Sequence, residues 1–171
     1  ARVATSPLML FAHPSVAAKD VKELLALAKT SQLQVAIPGV GTPHHLANLM
    51  LNAAGKVDIA TIPYRGTGPG LADMLPGRVP LIWATPVALI PHVQAGKAKV
   101  LGVASQKRAA SMPQVPTIAE NALPGFNVEI WFGVSAPAKT PPEILALYAK
   151  ELAAIAKLPD VQDQRFRILA L

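Results

Sequence analysis

The chain has 171 residues, 51% of them apolar and 15% charged, with 17 prolines, 11 glycines, no cysteine and a formal net charge of +6. That length fits one domain, or one domain with an appendage, and the apolar share excludes a disordered tail. The missing cysteine excludes a disulfide framework, a thiolate nucleophile and a zinc–thiolate site. The longest apolar stretch, 79–93, is interrupted by Pro80, Pro86 and Pro91 and is too short to span a bilayer. Basic residues are scattered with no run above two, and the few aromatics are spread along the chain, which argues against a nucleic-acid partner. A mildly positive field suits small anionic ligands.

The opening, Ala1-Arg2-Val3-Ala4, has no methionine and nothing of a signal peptide, and the chain stops inside an apolar-periodic stretch at Arg167-Ile168-Leu169-Ala170-Leu171. Both ends read as cut from something longer. Between them, short β-rich runs alternate with helical ones. Residues 8–12 read as a strand, followed by a helix over 21–29 with Val21, Leu24, Leu25 and Ala28 on one face. Then come a strand at 34–37 and a helix at 44–54, a strand at 59–62 and a helix at 70–75, a strand at 81–84 and a helix at 87–94, and a fifth strand at 100–104. Such alternation predicts α/β layering around a mainly parallel sheet.

After Arg108 the texture changes. Residues 111–124 are rich in proline, and 128–134 form a long extended run. Thr140 is placed to N-cap a helix, with Pro141 at its first position and Glu143 closing a capping box. Pro159 starts another helical piece.

The turns carry the chemistry. The second strand runs into Gly39-Val40-Gly41-Thr42-Pro43-His44-His45, the third into Pro63-Tyr64-Arg65-Gly66-Thr67-Gly68-Pro69-Gly70, and the fourth into Thr85-Pro86. Each offers a threonine placed to N-cap and a proline nearby, so each reads as a helix N-terminus. In a parallel sheet these turns share the C-terminal edge, where open α/β folds bind ligands. Helix N-termini expose unpaired N–H groups and about half a positive charge, and Gly39 and Gly41 let a ligand approach the backbone. The pattern points to a small anion, most simply a carboxylate. Any one of these turns alone is more often an ordinary capped connection; three together favour a site.

Other chemistries fare worse. His44 and His45 are adjacent and point about 100° apart on a helix, so they make no metal clamp. Gly39-Val40-Gly41 lacks the third glycine of a dinucleotide fingerprint, and no nucleophile elbow or acid–base pair is visible. No cofactor is called for and no catalysis expected. Trp83 and Trp131 could wall a pocket, although large aromatics more often fill a core. Arg65, beside Tyr64, could pair with a distal carboxylate or sit solvated.

The order of motifs is also familiar. The segment Gly39-Val40-Gly41-Thr42-Pro43-His44-His45-Leu46, the turn Pro63-Tyr64-Arg65-Gly66, the helix end His92-Val93-Gln94-Ala95-Gly96-Lys97, the run Val115-Pro116-Thr117-Ile118-Ala119-Glu120 with Leu123-Pro124-Gly125-Phe126, and Trp131-Phe132-Gly133-Val134-Ser135-Ala136-Pro137 follow one another as in the tripartite tricarboxylate transporter substrate-binding proteins. The chain resembles this TctC or Bug family over nearly its whole length. The resemblance implies a periplasmic solute-binding protein that takes small carboxylates and hands them to membrane transporter subunits. It implies one periplasmic-binding-protein-like domain at 8–130, with a five- or six-stranded sheet. A returning strand and C-terminal helical arm at 131–171 would normally pack on a first domain that has no counterpart here. By resemblance the carboxylate site comprises Gly41, Thr42, Pro43 and His44, with Trp83, Ala84 and Thr85 alongside; Gly39, Tyr64 and Arg65 complete the expected set. The family often carries aspartate where Ala84 stands, which weakens a case for amino-acid ligands. The apolar faces of 140–171 would be uncovered, so a homodimer or higher oligomer through that arm is expected. The rival expectation is a scaffold or sensor piece that assembles through the arm and binds nothing by itself.

Overall fold

The structure, a computed structural model, describes residues 2–161. Its strands are β1 (Arg2–Pro7), β2 (Met9–Ala12), β3 (Leu33–Ile37), β4 (Ile59–Pro63), β5 (Leu81–Ala84), β6 (Lys99–Val103) and β7 (Glu129–Gly133). Its helices are α1 (Val21–Ala28), α2 (Pro43–Gly55), α3 (Thr67–Met74), α4 (Pro86–Gln94), α5 (Ile118–Asn121) and α6 (Pro142–Ile155). Five strands form one sheet in the order β4-β3-β5-β2-β6, and β1 pairs with β7 as a separate antiparallel ribbon.

The central sheet strands are short apolar runs because both faces are covered: β2 and β5 are buried throughout, and β3 at every residue but Gln34. Leu8, Leu10, Val35, Ile37, Trp83 and Leu101 pack with Val21 and Leu24 of α1 and Ala47 and Leu51 of α2. Met9, Phe11, Ala36, Ile82, Ala84 and Val103 pack on the other side with Met74 of α3 and Leu89 of α4. Each fully buried large side chain contributes about 1.5–3 kcal/mol.

Direction is where the expectation of a mainly parallel sheet needs refining. β4, β3 and β5 are mutually parallel, while β2 runs antiparallel to both β5 and β6. Four strands therefore run one way and the second-from-edge β2 runs against them, making the sheet mixed. Apolar runs of this kind show that a strand is buried on both faces and not which way it runs. β1 was not expected at all: only Ala4 and Ser6 of it are buried, too little apolar content for a strand signal.

Local chemistry sets the helix boundaries. Asp20 caps α1 by accepting the Glu23 N–H at 2.8 Å. The unexpected helix α5 has a complete capping box, with Thr117 Oγ1 accepting from the Glu120 N–H (3.1 Å) and Glu120 accepting from the Thr117 N–H (2.9 Å). At α6 the cap position falls on Pro141, one residue later than expected, and the Thr140 hydroxyl instead donates to the Pro137 carbonyl at 2.8 Å. Helical residues reappear at 159–161, as expected from Pro159. The rest of the arm, including Arg167–Leu171, lies outside the described residues.

None of the residues of α6 is buried. Ile144, Leu145, Leu147 and Tyr148 are exposed together with Trp131 and Phe132 of β7 and with Val134. No helix among the described residues is long and apolar enough to cross a membrane.

Candidate functional site at the C-terminal edge of the sheet

Because β4, β3 and β5 are adjacent and parallel, the loops that follow them lie side by side at one edge, with the β3–α2 loop in the middle. That loop is built by Gly41, whose φ of +80° suits a residue without a Cβ. Thr42 caps α2: its Oγ1 accepts the His45 N–H at 3.4 Å and donates to the Gly39 carbonyl at 2.7 Å. Pro43 takes the first helical position, where its missing N–H costs nothing. The hydroxyl of Thr42 is thus already committed on both sides, and the backbone supplies the donors that remain. Gly41 N–H donates to His45 Nδ1 at 3.2 Å, and the His44 N–H, at the second helical position, has no acceptor within the helix.

The two histidines differ. His45 folds back on the loop through that bond, whereas His44 is half-buried and its enclosed Nδ1 has no hydrogen-bond partner. Burial favours the neutral ring and pushes the His44 pKa from 6.5 down to about 4.

The β4–α3 loop is laced to the first. Tyr64 N–H donates to the Ile37 carbonyl at 2.8 Å and Gly66 N–H to the Pro38 carbonyl at 3.2 Å. Gly66, not Thr67, occupies the cap position of α3, with φ +103°, and makes no side-chain bond. The Tyr64 hydroxyl donates to Asp73 Oδ2 at 2.8 Å while Arg78 donates to Asp73 Oδ1 at 3.0 Å. Those two donors, Tyr64 first and Arg78 second, hold the Asp73 carboxyl below its ordinary range. Arg65 is exposed at the tip of the loop.

In the third loop, Thr85 sits at the cap of α4 with Pro86 behind it and makes no side-chain capping bond. Trp83 and Ala84 just before it are both 0% exposed. Trp83, expected as a pocket wall, points into the core on the α1–α2 side, and Ala84 into the core on the α3–α4 side. Neither side chain reaches the open edge. The structure therefore brings Gly39, Gly41, Thr42, Pro43, His44, Tyr64, Arg65 and Thr85 to neighbouring loops on one edge and withdraws Trp83 and Ala84 from its surface.

A pocket of ≈ 380 Å³ lies between the β1–β7 ribbon and the segment after β6, lined by Ser6, Ser105, Lys107, Arg108 and Glu129 among others. Its Arg108 guanidinium is held by Glu120 at 2.9 Å and by the Pro113 carbonyl at 3.1 Å. No group of three or more metal-holding side chains occurs among the described residues. Sequence reasoning missed Asn48, an amide buried beneath the site; its signal was the Asn48-Asn52 spacing of four on a helix.

Residues 1–165 match the tripartite tricarboxylate transporter family receptor, TctC. The chain belongs to that family. It is 36% identical over 163 residues to a UPF0065 protein from the tcbD-tcbE intergenic region of Pseudomonas sp. strain P51, covering 94% of this chain and 48% of that one. It is 30% identical to Protein BugT of Bordetella pertussis, covering 85% and 45%. The chain thus spans about half the length of these relatives of the receptor family. Among solved structures it is similar to R. palustris Rpa4515 with adipate (TM-score 0.87, 29% identity, 98% of this chain and 57% of that one). It is also similar to MatC from Rhodopseudomonas palustris with bound malate, with a TM-score of 0.83, 32% identity and the same coverage. Its mixed α/β fold is of the periplasmic-binding-protein type, as in BugD (TM-score 0.82, 32% identity, 95% of this chain and 55% of that one).

Proposed function

We propose that the chain supplies one wall of a solute-binding receptor for small carboxylates, with the ligand at the C-terminal edge of β3, β4 and β5. The carrying observation is the convergence of three helix N-termini there, with the Gly41 and His44 amides at the centre. A carboxylate would accept from these amides and feel the positive ends of α2, α3 and α4, each worth a fraction of a kcal/mol to about 2 kcal/mol. The two neighbours named with ligands carry dicarboxylates, adipate and malate, which supports the same class here. Arg65, exposed on the flanking loop, is the proposed partner of a distal carboxylate. Binding without catalysis, a periplasmic location and delivery to membrane transporter subunits belong to this reading, and it rests on the family for all three.

Thermal unfolding against mono-, di- and tricarboxylates tests it. A ligand at about 100 times its Kd adds about 2.7 kcal/mol. A selective rise that is lost in Gly41→Val combined with Thr42→Ala supports the edge; no rise with any carboxylate, or a rise indifferent to both substitutions, refutes it.

A second reading is favoured by α6, none of whose residues is buried, and by Trp131, 65% exposed on β7. We infer that 131–161 packs on another body, which is the first domain of the receptor or, in its absence, a second copy of this chain. Light scattering that gives a monomer at every concentration removes the second copy.

A further inference from the structure

Only four polar residues are buried among the described residues, and Asn48, 1% exposed on the inner face of α2, is the one amide. A buried amide persists only when its donors and acceptors are met. Asn48 Nδ2 donates to the Ile59 carbonyl at 2.8 Å, and Asn52, one turn on, both donates to that carbonyl and accepts the Ile59 N–H, each at 3.1 Å. Ile59 is the first residue of β4. On the other side, Trp83 Nε1 donates to Asn48 Oδ1 at 3.5 Å, and Trp83 lies in β5 two residues before Thr85. One side chain is therefore tied to both strands that carry the outer two loops of the edge, while its own helix carries the middle one.

Apolar contacts alone would hold α2 against the sheet without fixing its height, because they are non-directional. The hydrogen bonds of Asn48 are directional, and Thr42 lies six residues away, about 9 Å along the helix axis. We propose that Asn48 is a positioning residue, with Trp83 as its partner: together they set the level of the Gly41–Thr42 corner against the loops of β4 and β5, and so the geometry of the anion site. The proposal rests on the carboxylate reading above. It also gives Trp83 a part in the site without contact to the ligand.

The test is a double-mutant cycle on the full chain, with adipate and malate as probes. Calorimetric titration and thermal unfolding are run on the wild type, Asn48→Leu, Trp83→Phe and the double variant. Asn48→Leu should weaken binding about three- to tenfold, the scale of one hydrogen bond, and lower Tm by orphaning the indole N–H. Adding Trp83→Phe removes that orphan, so the double variant should regain much of the Tm and none of the affinity. If affinity recovers in step with Tm, Asn48 is merely structural and the proposal fails. It also fails if all four proteins bind alike. Should Asn48→Leu not fold, Asn48→Ser with and without Trp83→Phe makes the same comparison. A wild type that binds neither probe and no other mono-, di- or tricarboxylate overturns the carboxylate reading itself, and the positioning role with it.

Discussion

The amide of Gly41 donates to Nδ1 of His45, so the loop fills one of its own anion-binding donors with a side chain four residues on. A carboxylate entering the edge has to take that N–H from the imidazole. Replacing the ring by an apolar side chain of similar bulk frees the donor. His45→Leu should therefore bind carboxylates more tightly, by about three- to tenfold for one released hydrogen bond. Titration calorimetry against the wild type decides; equal or weaker binding would show that the ring helps hold the loop in its binding shape.

Thr42 is expected to matter twice. Thr42→Ala removes the cap of α2 and should cost about 1 kcal/mol, a fall in Tm of about 2–4 °C, whereas Thr42→Ser should leave stability nearly unchanged. Thermal unfolding of the two variants checks the difference. A Tm for the alanine variant equal to that of the serine variant would mean that Pro43 and the backbone set the helix start without the hydroxyl.

His44 makes stability depend on pH. Its folded pKa, about 4, lies below the ordinary 6.5, so between those values the unfolded chain binds more protons than the folded one. The stabilisation is complete above pH 6.5 and is lost as pH falls toward 4. The carboxylates of Glu23, Asp73 and Glu120, all lowered by their hydrogen-bond partners, lose their stabilisation at lower pH still. Denaturant titrations from pH 7.5 to 4.5 should show falling stability in the wild type and a flatter profile in His44→Phe. Parallel profiles would contradict a buried neutral ring.

Gly102 lets β6 approach two helices. A Cβ there would lie 2.9 Å from Val21 Cγ2 on α1 and 3.1 Å from Ile118 Cγ1 on α5. Gly102→Val should therefore destabilise by about 1–3 kcal/mol through overpacking, while leaving the folded protein able to bind, because β6 carries none of the three loops of the edge. Chemical denaturation measures the first and calorimetry with adipate the second.

Much of this is legible in the sequence itself. The strands β3 and β5 stand out because they are short apolar runs buried on both faces, and the capped turns stand out because glycine, threonine and proline act locally. The direction of β2 was not legible, since its partners are set by contacts far along the chain. The place of Trp83 was hidden for a related reason. A residue at the end of a strand faces the ligand edge or the core according to what covers the sheet, and here both faces are covered. Thr117-Ile118-Ala119-Glu120 spelled out a capping box that its proline-rich surroundings disguised. Thr67 and Thr140 show the opposite failure, since the right residue type stood one place away from the cap position.

The antiparallel strand inside the sheet also bears on the order of assembly. β2 is made before β5 and β6, with which it pairs about 70 and 90 residues later. As the chain grows, β3 and β4 can meet across α2, while Leu10 and Phe11 wait for partners that do not yet exist. The sheet cannot close until Val103 has emerged, which implies a slow, late-committing fold dominated by non-local pairing. Until then the apolar segment around Leu8–Ala12 has no sheet partner on either side.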